Sequence, residues 1–244
     1  GKHDGDKYAR AVLKHYYGLK NLNEYDRVLL DFDDTIWARG ANNDSTLMQF
    51  SRDNVELVSQ LKDKACIISG NSYDSISRKL ATVYGANTSK FEADIWADAN
   101  SALFSKGVRI DVIPELLITG NIRRLGQYLY NTYRIEATVN DFEYPSCVKI
   151  KPLSALDQIL LSNYLNDYLL AATGLGFCRA IPTGKTTVDI VSRSNNKVAV
   201  LERAKINAAN CLYIGDETDN GNDHDISGCC GCSVHTSGVQ ETYA

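Results

Sequence analysis

Two aspartates stand two residues apart in Asp31-Phe32-Asp33-Asp34-Thr35, directly after the apolar run Val28-Leu29-Leu30. An apolar run of that length reads as a buried parallel strand, and the C-terminal end of such a strand is where open α/β sheets bind ligands. Buried carboxylates are costly unless a cation or hydrogen bonds offset them. Two kinds of chemistry meet that cost. Mg²⁺ takes oxygen ligands, commonly one or two carboxylates with substrate phosphate oxygens. An aspartate can also attack a phosphoryl group and carry it as an aspartyl-phosphate, with Asp31 and Asp33 as nucleophile and proton carrier. The same string also occurs at helix N-caps, because Asp and Thr cap well. The rest of the chain has to decide between the two.

Two further apolar runs end in the same way. Cys66-Ile67-Ile68 delivers Ser69-Gly70, whose hydroxyl can donate to a phosphoryl oxygen. Leu212-Tyr213-Ile214 runs into Gly215-Asp216, the start of a stretch with five acids in eleven residues, ending at Asp225. Asp216 with Asn222 and Asp223 is a candidate metal cage there, and Asp219-Asn220 is the alternative second pair. Lys197 opens a helix just before the third strand and can bring a cation to it, with Lys185 as the competing lysine. Nucleophile, acid/base, hydroxyl, cation and metal cage are the parts that phosphoryl transfer needs.

The elements that must hold these groups follow from periodicity. Apolar residues at helical spacing (Ala9, Val12, Leu13 and Tyr16 or Tyr17) predict a helix over 6–18, stopped by Gly18. Helices are expected over 51–61, with Val55, Leu57 and Val58 as core positions, and over 73–84. From residue 85 the character changes. Strands over 91–96, 101–104 and 108–112, a helix over 115–133, and strands over 135–139 and 147–150 are expected. A helix over 154–172 carries Leu156, Ile159, Leu160, Tyr164 and Leu165 on one stripe, and strands over 177–181 and 186–191 follow. The pattern predicts an inserted α+β domain, 85–185, between two pieces, 1–84 and 186–244, of an α/β domain with a parallel sheet. The last residues, Gly238 to Thr242, begin a helical pattern, so a truncated end is expected.

A chain of 244 residues, 44% hydrophobic and 23% charged, is long enough for one large or two modest domains. Its net charge of -4 and the lack of a basic stripe argue against nucleic acid as a partner. No apolar run is long enough to cross a membrane, and the N-terminus lacks a signal-peptide core. Seven cysteines fit a reducing, cytoplasmic setting. Three of them crowd into Gly228-Cys229-Cys230-Gly231-Cys232. That spacing matches no standard zinc motif and reads as a close-packed turn; a zinc site there would need a fourth ligand such as His224 or His235.

Taken together, Asp31-Phe32-Asp33-Asp34-Thr35, Ile67-Ile68-Ser69-Gly70, Lys197 and Gly215-Asp216 resemble, in order, the four motifs of the haloacid dehalogenase (HAD) superfamily over roughly residues 27–236. The run to Asn222-Asp223-His224-Asp225-Ile226 is similar to the phosphomannomutase and sugar-phosphatase branch. The stretched fourth motif departs from the family's compact form. The resemblance implies a Rossmann-like core with a large α/β cap and a Mg²⁺-dependent phosphatase acting on a small phosphorylated metabolite, most simply a sugar phosphate. Asp31 would be the nucleophile and Asp33 the acid/base. Ser69, Gly70 and Lys197 would hold the phosphoryl group, and Asp31, the Asp33 carbonyl and Asp216, with Asn222 or Asp223, would hold the metal. Arg179 leads the candidate cap contacts, which also include Arg123, Arg124, Lys149 and Lys151. A hexose-phosphate mutase and a non-catalytic domain of a larger protein are the alternatives. The mutase should need a basic cluster in the cap, which is not evident, and a dead domain should have lost Asp31 or Asp33.

Overall fold

The computed structural model of the protein describes residues 22–120, 122–151, 153–216, 222–236 and 238–243. The helix expected over 6–18 and the Asp219-Asn220 pair lie outside them. The chain divides into two compact units, 1–111 with 196–244, and 112–195.

The first unit is mixed α/β around a mostly parallel sheet. Its first half holds β1 (Arg27–Leu30), α1 (Ser45–Leu61), β2 (Ala65–Ile68), α2 (Tyr73–Tyr84), β3 (Asp94–Ala97), β4 (Ala102–Ser105) and β5 (Val108–Val112). The second unit holds α3 (Ile122–Tyr133), β6 (Ala137–Val139), β7 (Val148–Ile150), α4 (Ala155–Tyr164), β8 (Cys178–Thr183) and β9 (Thr187–Ser192). The first unit then resumes with α5 (Val198–Ala204), β10 (Cys211–Gly215), α6 (His224–Cys229), β11 (Cys232–His235) and α7 (Val239–Tyr243).

The sheet order is β11-β10-β1-β2-β3-β4-β5, parallel from β11 to β3 and turning antiparallel at β4. The central strands are apolar throughout because both faces are covered: Val28, Leu29, Leu30, Ile67 and Ile68 are all buried. Register does the positioning. Leu30 lies opposite Ile214 on one side and Ile67 on the other, so Asp31, Gly215-Asp216 and Ile68-Ser69 leave the sheet at one edge. Asp44 caps α1 by accepting from the Thr46 and Leu47 N–H groups. Val55 and Val58 face the core, whereas Leu57, also expected there, is exposed at 42%. At 100° per residue it points about 100° round the helix from Val58 and about 200° from Val55, off the stripe those two share.

Strands β3 to β5 continue this first sheet, although the sequence pattern reads them as part of the insert. Alternation identifies a strand but not the sheet it joins. The turn between β3 and β4 explains the attachment. Asp98, Ala99 and Asn100 are consecutive left-handed residues, with φ of 54°, 54° and 63°. Their N–H groups donate to the carbonyls of Asn71, Gly70 and Ser69 at 2.8, 3.2 and 3.2 Å. A strained turn thus braces the loop that follows β2.

In the second unit a four-stranded antiparallel sheet, β6-β7-β9-β8, carries two helices. Leu125, Leu129, Val148, Ile150, Leu165, Leu169, Val188 and Ile190 are among its buried core. The expected helix over 154–172 is α4, a π-helical turn (Leu165–Leu169) and a last short turn. Its inward face differs from the expected one. Leu165 is buried and Tyr164 partly so, but Leu156, Ile159 and Leu160 are exposed, and Gln158 and Ser162 face in. The Gln158 amide donates to the carbonyls of Thr183, Gly184 and Thr187 at 3.0, 3.3 and 2.6 Å, stitching the β8–β9 hairpin. A buried polar group with that many partners outweighs a pattern drawn from hydrophobicity alone.

All seven cysteines are free, and Cys66, Cys147, Cys178 and Cys211 are buried. Burial pushes the Cys66 thiol up to about 12. The Cys229–Cys232 stretch is a tight turn, since a Cβ on Gly231 would overlap the Ala209 carbonyl oxygen. Among the described residues no helix is long and apolar enough to cross a membrane.

Candidate active site

Asp31 directly follows β1, and its N–H donates to the Ile214 carbonyl at 3.0 Å, so the residue is still held by the sheet. The chain then turns tightly: the Phe32 carbonyl accepts the N–H groups of Thr35, Ile36 and Trp37. Ser51 and Asn54 on α1 tie this turn down, Ser51 Oγ accepting from Ala38 N at 3.0 Å and Asn54 Nδ2 donating to the Ile36 carbonyl at 3.2 Å. Asn54 also donates to the Val239 carbonyl at 2.9 Å, joining the turn to α7.

Lys197, at the start of α5, reaches into this edge with its side chain 1% exposed. Its ammonium donates to Asp31 Oδ1 at 2.8 Å, Asp223 Oδ1 at 2.6 Å and Tyr213 Oη at 3.3 Å. Asp223, wholly buried just before α6, also accepts from the Tyr213 hydroxyl. Gly215 makes that approach possible. A Cβ there would sit 2.5 Å from Asp223 Oδ2 and 2.8 Å from the Tyr213 ring.

Asp216 completes a cluster. Carboxylate oxygens of Asp31, Asp216 and Asp223 lie within 4.8 Å of one another, and among the described residues this is the group of acids able to hold a metal ion. Three carboxylates against one ammonium leave an excess of negative charge. Burial raises the Asp31 carboxyl above its ordinary range; the Lys197 ammonium pulls it down, and the Asp223 carboxylate adds to the rise. For Lys197, burial favours the neutral amine, but Asp31 and Asp223 together outweigh it and raise its pKa. Burial and the same carboxylates push the Tyr213 phenol well above its ordinary value. The ammonium therefore stays charged, and the Asp31 carboxyl is left needing a proton or a second cation. An all-oxygen donor set with that deficit suits Mg²⁺.

Asp33 lies beside this cluster and outside it. Lys79 on α2 donates to its Oδ1 at 2.9 Å and Asn71 Nδ2 to its Oδ2 at 3.1 Å. Ser69 is buried at the end of β2, its hydroxyl oxygen accepting from Asn71 N at 3.0 Å and its O–H still able to donate. Gly70 follows on the surface. Asn222 is exposed, unlike its neighbour Asp223. Arg179 belongs to the second unit, where it donates to the Asn195 carbonyl at 2.9 Å; Lys149 pairs there with Asp189 at 2.7 Å, while Arg123, Arg124, Lys151 and Lys185 are exposed.

The structure thus brings Asp31, Asp216, Asp223 and Lys197 together, with Asp33 and Ser69 at the same sheet edge. Sequence reasoning missed Tyr213, Asn71, Lys79 and the role of Gly215. A tyrosine within an apolar strand and a Gly just before an acid were the available signals; nothing in the spacing pointed to Lys79.

No protein-family model matches the sequence, and no curated protein matches it. Solved structures do match. A haloacid dehalogenase-like hydrolase from Bacteroides thetaiotaomicron has a TM-score of 0.61 at 13% identity, over 90% of this chain and 98% of that one. IMP-bound IMP-nucleotidase from Plasmodium falciparum has a TM-score of 0.55 at 14% identity, over 97% and 77%. A protein from Eubacterium rectale has a TM-score of 0.59 at 12% identity, over 90% and 91%. At these identities the likeness is one of fold: the chain is built as haloacid dehalogenase-like hydrolases are.

Proposed function

We propose that the chain is a HAD-type phosphoric monoester hydrolase that acts on a small phosphorylated metabolite, sugar phosphates first, through a phosphoaspartate on Asp31. One observation carries the reading: a buried aspartate at the end of a central parallel strand, gripped by a buried ammonium, with two more carboxylates gathered round it.

In this reading Asp31 attacks phosphorus in line, forming an acyl phosphate as the bond to the leaving oxygen breaks. Asp33 gives its proton to that oxygen. It then takes a proton from the water that attacks phosphorus, so that inorganic phosphate leaves and the Asp31 carboxylate is restored. Lys197 and the Ser69 hydroxyl hold the phosphoryl oxygens while charge spreads over them, and the Gly70 backbone leaves room for the group. Asp31, Asp216 and Asp223, with the Asp33 carbonyl, would hold Mg²⁺. Bound there, it supplies the positive charge that keeps Asp31 an anion and offsets the charge of the phosphoryl group.

The test is phosphate release from sugar phosphates and nucleoside monophosphates, with Mg²⁺ and with EDTA. The fold it shares with an IMP-nucleotidase is the reason nucleotides join the panel. Release that needs Mg²⁺ and falls by about 10³-fold or more in Asp31→Asn is expected. Release that survives Asp31→Asn would rule out the phosphoaspartate. No release, but interconversion of hexose 1- and 6-phosphates, would point to a mutase.

A further inference from the structure

α4 is turned with its apolar side outward. Gln158 and Ser162 are drawn in by the β8–β9 hairpin, which leaves Leu156, Ile159 and Leu160 exposed at 67%, 53% and 56%. The face continues along the chain and across to α3. Tyr164 stacks on Tyr168 with centroids 5.9 Å apart, and Tyr133 meets Tyr164 edge-on at 6.4 Å and Tyr128 at 6.1 Å. Tyr168, Tyr133 and Tyr128 are exposed at 60%, 47% and 37%. At roughly 200 Å² for a fully exposed side chain of this size, these six present about 600–700 Å² of mostly apolar surface.

We propose that this face is where a second copy of the chain docks. Monomeric proteins rarely expose a contiguous apolar patch above roughly 300–600 Å², whereas a specific interface takes about 800 Å² from each partner. The patch lies above the first figure and approaches the second before any polar rim is added. The chemistry selects the occupant. From Ala155 to Leu169 the segment carries two acids, Asp157 and Asp167, and no basic residue, which suits an anionic lipid surface poorly. Its centre is uncharged, so a twofold contact of the face with itself brings no like charges together. Arg124 and Arg134, exposed on and just after α3, are the complement that Asp157 and Asp167 of the other copy would meet. The inference rests on no assumption about the chemistry of the first unit.

Sedimentation velocity of the full chain across the micromolar range tests it. A dimer is expected. Ile159→Lys with Leu160→Lys should weaken self-association by about 100-fold or more and leave the circular dichroism of the folded chain unchanged, because both side chains are exposed. Val108→Lys with Ile110→Lys, on the exposed strand β5, should leave the dimer intact. As a measurement that adds no charge, Asn163→Cys in the middle of the stripe should give a covalent dimer on oxidation that the unsubstituted protein does not. A monomer at every concentration would overturn the proposal. So would a dimer that survives the α4 substitutions, or one lost only in the β5 variant.

Discussion

Lys197 and Lys79 each hold an aspartate at hydrogen-bond distance, yet burial sets their worth far apart. Replacing Lys197 with Met leaves Asp31 and Asp223 facing each other without a counter-charge in a dry site, a change that costs about 3–5 kcal/mol. The Lys79–Asp33 pair is open to water, with side chains 28% and 21% exposed, and Lys79→Met should cost about 0–1 kcal/mol. Chemical denaturation of both variants without Mg²⁺ checks the ordering; equal losses would contradict it. Gly215→Ala probes the same centre through backbone. Its Cβ would displace Asp223 or Tyr213, so a loss of about 1–3 kcal/mol should accompany a fall in phosphate release. An unaltered variant would mean that Asp223 is free to move, and a loosely held ligand set would follow. At this scale much of the site was legible, because a carboxylate, a hydroxyl or an ammonium at a strand end or helix start is costly to place without a use. Tyr213 was hidden because its ring fits the apolar strand that carries it, and only its hydroxyl, bonded to Asp223, shows its part. Lys79 and Asn71 were hidden because their partner Asp33 lies some forty residues away in sequence.

The elements were read with uneven success, and the reasons are physical. Three parallel strands stood out because a strand covered on both faces must be apolar along its whole length. β3 to β5 were read as strands, but what fixes them to the first sheet is the left-handed turn at Asp98–Asn100 and its three hydrogen bonds to the Ser69–Asn71 loop, which periodicity does not encode. The inward face of α4 was misjudged because Gln158 satisfies three carbonyls at once. The left-handed turn makes a prediction of its own. A Cβ costs roughly 1–2 kcal/mol in that conformation, and glycine's looser unfolded chain returns about 0.4–1 kcal/mol of it. Ala99→Gly should therefore stabilise the protein by up to about 1 kcal/mol, read as a rise in melting temperature with phosphate release kept. A fall would show that the Ala99 methyl, buried beside β4, contributes more packing than its conformation costs.

The molecule as a whole has two cores, and the chain passes from one to the other at 111–112 and 195–196. A boundary at 84–85, drawn from the change in sequence character, falls before β3 because composition does not shift where the sheet ends. The cores differ in a way that makes them separable by spectroscopy. Both tryptophans, Trp37 and Trp96, are buried in the first unit, and the second has none. The three clustered carboxylates belong to the first unit alone. A ligand that binds one folded unit stabilises that unit by mass action, by about 2.7 kcal/mol at a hundred times its Kd. For a unit of this size that is roughly 5–10 °C in melting temperature. Mg²⁺ should therefore raise the transition seen by tryptophan fluorescence. A second calorimetric transition, silent in tryptophan and carried by 112–195, should stay where it was. In Asp216→Asn with Asp223→Asn the tryptophan transition should no longer respond to Mg²⁺. If both transitions rise together in the unsubstituted protein, the two cores unfold as one, and two compact units make a single unit of stability. If neither moves, the carboxylate cluster does not take Mg²⁺ without a phosphorylated substrate beside it, and the same scan repeated with inorganic phosphate would separate a substrate-assisted site from one that takes no metal at all.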